Sequence, residues 1–213
     1  MSAVLTDVLK NACLDSAVAG APGTALFLGL HTTLGQSGTE VAGGSPAYAR
    51  KAITWQAAGA VTQGTKDITA AVTFDVPAGT TVRGIGLWSA LTVGTLRAWS
   101  PAGASARRGF DVTAAGVTAN TIDSPAHGLV AGNSVVVWPT IGAVLPTPLA
   151  EDTEYFVIAA GLTTDVFSLS TTLGGSAIDL TAIGDGDVQK FTPEVFAGQG
   201  TYQATAFTVA LPG

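Results

Sequence analysis

The chain has 213 residues, 47% of them hydrophobic and only 11% charged, with a formal net charge of −6. That length suffices for one large or two small domains with cores of their own. The charge content lies far below the about 25% of ordinary globular domains, which implies a surface built from Thr, Ser, Ala and Gly and partly covered by other subunits. Nine basic against fifteen acidic side chains argue against a nucleic-acid groove, and the single Cys13 excludes an intrachain disulfide or a multi-thiolate metal centre.

The amino-terminal residues lack the basic start and long apolar run of a signal peptide, and no later segment is apolar for long enough to span a bilayer, so no membrane partner is expected. Leu5, Val8, Leu9 and Ala12 recur at helical spacing and predict one amphipathic helix from Ser2 to about Ala17. Ser2 serves as its N-cap, and Gly20-Ala21-Pro22-Gly23 ends it. This stripe packs on the protein's own sheet or docks on a neighbour, which makes Leu5, Val8 and Leu9 candidate subunit-interface residues.

Ala25 to His31 is a short apolar run bounded by turn formers, the pattern of a buried strand. A Gly-rich loop follows, longer than a tight hairpin requires. Tyr48 to Trp55 then alternates, with Tyr48, Arg50, Ala52 and Thr54 on one face; Tyr48 and Arg50 join the candidate interface. Ile68 to Val76 and Thr81 to Trp88 read as strands around the Pro77-Ala78-Gly79-Thr80 turn, and Thr95 to Trp99 as a return strand. Short strands with Gly- and Pro-bearing turns predict an all-β fold, an antiparallel β-sandwich with one N-terminal helix. Trp55, Trp88 and Trp99 are expected in its core.

The succession LGLHT, EVAGGSPAYARKAITW and FDVPAGTTVRGIGLWSA resembles a family of minor structural and tail-fibre proteins of tailed bacteriophages, over Thr24 to about Trp99 and again over Phe196 to Leu211. The resemblance implies a virion component concerned with structure and attachment, assembled in the host cytoplasm, with no catalytic motif to carry over.

In such proteins the strand near Trp99 leads through a short loop to the segment like Phe196–Leu211. Here about ninety residues intervene, too many for a loop, which predicts an inserted small β domain. The boundaries are 1–104 plus 194–213 for the sandwich and 105–193 for the insertion. Within the insertion, strands are expected at Ser134–Trp138, Thr153–Ala159, Val166–Ser170 and Ala177–Leu180. The run AHGL, GNSVVV, EYFVIA, DVFSLS, GGSAIDL is similar to a small module of phage tail and other virion proteins, which implies a spacer or display role.

Chemistry finds little purchase. His127 has no second histidine nearby in sequence and reads as a turn residue. Asp185-Gly186-Asp187 lacks the later ligands of a calcium loop and reads as a hairpin turn. Glu151, Asp152 and Glu154 read as a solvated strand entry, and neither a G-x-S-x-G elbow nor a phosphate loop occurs. No enzyme, cofactor or metal is therefore expected. The sequence reading is a non-enzymatic structural protein outside a tailed-phage virion, first as a capsid decoration protein bound to capsomers, because no heptads or collagen-like repeats provide a shaft. The alternative is a tail-fibre or tail-tip subunit touching the host surface or a glycan, with Trp138 and Tyr155 as exposed recognition residues. Other virion proteins, and further copies in a dimer or trimer, are the expected partners.

Overall fold

The computed structural model describes residues 25–57, 60 and 65–210. The helix expected over residues 2–17, its interface residues Leu5, Val8 and Leu9, and Cys13 lie outside the described residues. The chain divides into two compact units. One takes its described residues from Met1–Thr33, Gly38–Ser100 and Val195–Gly213, and the other consists of Leu34–Ser37 and Pro101–Glu194.

The first unit contributes β1 (Leu26–His31), β2 (Lys51–Ile53), β3 (Thr65–Lys66), β4 (Val72–Val76), β5 (Thr80–Val82), β6 (Gly84–Trp88) and β7 (Leu96–Pro101). A four-stranded sheet has the order β2-β1-β6-β7, with β1 antiparallel to both neighbours. The β1–β6 register sets Gly29 opposite Gly86 and His31 opposite Gly84. Alternation sends Leu26, Leu28 and Leu30 to one face, and all three are buried. Gly29 and His31, on the other face, are buried as well, so β1 is covered on both sides.

Two expectations are corrected here. Thr81–Trp88 is not one strand, because the chain breaks at Arg83 into β5 and β6, which join different sheets. The strand expected from Tyr48 shrinks to Lys51–Ile53, since the Tyr48 amide donates to the Gly43 carbonyl in a turn (2.8 Å).

The second unit is built from β8 (Arg108–Val112), α1 (Ala114–Ala119), β9 (Ile122–Asp123), β10 (Ser134–Trp138), β11 (Tyr155–Val157), β12 (Val166–Phe167), β13 (Leu169–Ser170) and β14 (Gly184–Phe191). Its sheet order is β12-β9-β8-β14-β10-β11-β13. The two outermost strands are halves of one segment, with Val166–Phe167 pairing with β9 and Leu169–Ser170 with β11. The sheet therefore curls until both edges meet across Ser168, a nearly closed barrel with almost no free edge. Its interior is apolar: Phe110, Val112, Ile122, Val135, Val137, Tyr155, Val157, Phe167, Leu169 and Val188 form one cluster.

The short helix α1 was not expected from the sequence. Thr113 caps it by accepting from the Gly116 amide (3.3 Å), and Asn120 ends it in the left-handed conformation at φ 56°. Asp185-Gly186-Asp187 is not a turn but lies inside β14. An inward Cβ at Gly186 would meet the Trp138 carbonyl oxygen and the Phe110 ring, so the glycine serves close packing of strands rather than reversal. Residues 177–180 form no strand, although the Ile178 amide reaches the Leu169 carbonyl (2.8 Å).

The chain then returns to the first unit with β15 (Glu194–Phe196), β16 (Gly200–Ala204) and β17 (Val209–Ala210), which pair with β5, β4 and β3. Phe74, Val76, Val82, Phe196, Tyr202 and Phe207 are buried around these pairs. Among the described residues the first unit is thus β structure, with one four-stranded sheet and three two-stranded pairs.

Candidate functional site

On the Gly29/His31 face of β1 the first unit carries a buried polar network. The turn after β1 returns so that Glu40 bridges to His31, held by the Thr32 amide on the Thr39 carbonyl (2.8 Å) and the Val41 amide on the Leu30 carbonyl (2.9 Å). Arg50, only 7% exposed, meets Glu40 with a two-pronged pair, Nε–H to Oε1 at 2.8 Å and Nη2–H to Oε2 at 2.7 Å. This planar fork gives geometric specificity that a lysine could not. Its Nη1 donates to the carbonyls of Ala90 (2.8 Å) and Val93, and the guanidinium lies 3.7 Å from the centroid of the Trp88 ring.

Tyr48 completes the arrangement. Its hydroxyl donates to Glu40 Oε1 (2.9 Å) and accepts from the Leu30 amide (2.7 Å), while its ring stacks on Phe74 at 6.2 Å. Burial pushes the phenol well above its ordinary range, with the Glu40 charge adding to the effect against the Leu30 hydrogen bond. His31 lies 5.7 Å from the Trp88 ring and is 2% exposed. Burial lowers its pKa, the Glu40 carboxylate partly offsets this, and Arg50 lowers it further.

The glycines make this cluster feasible. A Cβ on Gly29 would lie 2.8 Å from Glu40 Oε1, 3.0 Å from the Tyr48 hydroxyl and 3.1 Å from Trp88 Nε1, and one on Gly86 would lie 2.5 Å from His31 Nε2. The facing pair Gly29/Gly86 is the floor on which the polar side chains sit. Beside them opens a hollow of about 410 Å³, lined by Glu40, Val41, Tyr48, Arg50, Leu91 and Val93 among others.

Chemically Glu40, Tyr48 and Arg50 are committed to one another and to backbone. Glu40 serves Arg50 and Tyr48, the phenol is held protonated, and Arg50 holds backbone carbonyls. Among the described residues no group of three or more His, Cys, Asp or Glu is placed to hold a metal. Of the sequence candidates, Tyr48 and Arg50 are brought together here, half-buried and buried, with their polar ends turned to Glu40. Glu40, His31 and Trp88 were missed as their partners. The available signal was the sparseness of charge, since one glutamate and one arginine flank a Gly-rich loop in a segment with almost no other ions.

In the second unit the recognition residues are corrected. Tyr155 is 3% exposed, because strand alternation turns residues 155 and 157 inward, and its hydroxyl accepts from the Ala150 amide (2.9 Å). Trp138 is 9% exposed, and the Arg107 guanidinium covers its ring at 4.0 Å. Neither ring is offered as an exposed stacking platform. His127 accepts from the Leu129 amide through Nδ1 (2.9 Å) and sets its ring edgewise to Phe167 at 5.2 Å, a buried turn residue.

No curated protein and no solved structure matches the chain. The family profile described as podophage GP4 fiber I protein gp80 matches residues 1–123, a span that takes in the whole Glu40–Arg50 network and the first two strands of the barrel. Since that is more than half of the 213 residues, the chain belongs to the podophage GP4 fiber I protein gp80 family.

Proposed function

We propose that the protein is a structural subunit of a tailed-phage fibre, working through contact rather than catalysis. Membership of a phage fibre family makes a virion component of it, and that membership is the observation carrying the proposal. It moves the reading from capsid decoration, which the lack of shaft repeats favoured, to the fibre. The Arg50, Glu40 and Tyr48 side chains support a mechanical role, because they are engaged with one another and with backbone rather than held ready for a substrate. In this reading the first unit seats the chain against other fibre or tail subunits, in a dimer or trimer. The barrel, with its free edges nearly abolished, is a rigid spacer or display unit.

Immunogold labelling of intact virions with an antibody against the barrel tests this. Gold at the tail is the expected result. Gold distributed over the head would overturn the fibre assignment.

A further inference from the structure

A loop of unusual cost hangs from the polar network. Between β6 and β7, residues 89–95 expose Leu91 at 50% and Val93 at 87%, and Val93 is held at φ 59°, a left-handed conformation that a β-branched side chain adopts rarely and under strain. The loop closes through the Ser89 amide on the Thr95 carbonyl (3.1 Å) and the Thr95 amide on Ser89 Oγ (2.8 Å). Apart from that closure, Arg50 fastens it through the carbonyls of Ala90 and Val93, the latter at the strained residue itself.

Arg50 is in turn positioned by Trp88 and Glu40; the His31 ring contacts Trp88, and Glu40 is the cross-strand backbone neighbour of His31. Among the described residues, His31 Nε2 is buried and meets no hydrogen-bond partner. We propose that His31 makes this an acid-released latch, in which a proton gained by the imidazole loosens Arg50 and frees the 89–95 loop. The charged groups facing His31 are Glu40, from the returning turn, and Arg50, from the segment before β2. A cationic imidazole repels the guanidinium that shares the Trp88 ring with it and competes for the Glu40 carboxylate, and both effects weaken the hold on Ala90 and Val93. Tyr48 stays neutral throughout, and Trp88 carries no charge.

The sign follows from burial. His31 is held below its ordinary 6.5 in the folded chain, so the neutral form is the native one, and the latch is closed at neutral pH and opens as pH falls below that value.

Amide hydrogen exchange on the full chain, corrected for the intrinsic pH dependence of exchange, reads this at the Ser89 and Thr95 amides. Between pH 7 and pH 5 their protection is expected to fall about tenfold, the equivalent of one unit of pKa coupling, while that of β10 and β14 stays level. In His31→Gln the fall is expected to vanish. Unchanged protection in the wild-type chain, or an equal fall in the variant, overturns the latch. Should His31→Gln fail to fold, the imidazole titration followed by NMR in the wild-type chain decides: its midpoint must coincide with that of the loss of loop protection, and separate midpoints overturn the proposal.

Discussion

The two units solve the problem of a charge-poor chain in opposite ways. By sequence the first has six basic and five acidic residues and the barrel unit three basic and ten acidic, so the net negative charge resides in the barrel. Yet it is the nearly neutral unit that draws an ion pair largely out of water, with the Glu40 carboxylate over Gly29 and Arg50 buried beside it. The barrel fills its interior with Val, Phe, Leu and Tyr and leaves its carboxylates outside. An apolar interior gains stability from area alone and tolerates approximate shape. A buried polar cluster gains little net stability, but each member must have its partner in place, and so it fixes one arrangement of the loops that supply it.

The largest effect should come from splitting the ion pair. Glu40→Ala leaves the Arg50 guanidinium buried beside Trp88 without its carboxylate, and a cost of about 3–5 kcal/mol is expected in urea denaturation of the first unit. Glu40→Gln combined with Arg50→Met should cost clearly less than the two single changes together, since no charge is left stranded. If Glu40→Ala costs under about 1 kcal/mol, the pair behaves as an exposed one and the contrast between the units collapses.

Overpacking at glycines sharpens the comparison with a smaller effect. Gly186→Ala drives a methyl into the carbonyl oxygen of Trp138, a backbone atom that cannot step aside, whereas Gly86→Ala meets His31 Nε2, Leu96 Cδ1 and Trp88 Nε1, all ends of side chains. A loss of about 1–3 kcal/mol is expected for Gly186→Ala and a lesser one for Gly86→Ala, measured by the same denaturation. The reverse order would mean that the polar cluster is the more rigid of the two interiors.

What the sequence reveals follows the same division. Alternation in Ser134–Trp138 locates a barrel strand, because apolar periodicity is a local quantity. The sense of alternation is not local. In Tyr155–Val157 either set of side chains could face inward, and the structure buries Tyr155 and Val157. Asp185-Gly186-Asp187 has the composition of a turn, but its glycine is required by Phe110 and Trp138, distant in sequence. The Glu40–Arg50 pair escapes detection for a similar reason: nine residues of Gly-rich loop separate the partners, and only the fold shows that Glu40 lies over Gly29 with the Arg50 guanidinium against it and the Trp88 ring.

The smallest predicted effect concerns the outside of the barrel. The register places Asp185 opposite Asp111, and Asp111 opposite Asp123, so three carboxylates stand in one row across β14, β8 and β9. Residues opposed in an antiparallel pair point to the same face, and like charges so placed repel. Thr140 relieves one of them by donating to Asp185 Oδ1, but Asp111, in the middle, is exposed with carboxylates on both sides. Asp111→Asn should therefore stabilise the barrel by about 0.2–1 kcal/mol, read as a rise in its denaturation midpoint with unchanged slope. Because the repulsion crosses water, the gain should shrink toward nothing in about 1 M salt, where the screening length is about 3 Å. A gain that survives salt undiminished would trace it to strand propensity instead of charge, and a loss of stability would show that Asp111 has a partner worth more than its repulsions. Either result would remove the distinction drawn between a unit that neutralises its charges internally and one that tolerates their repulsion at its surface.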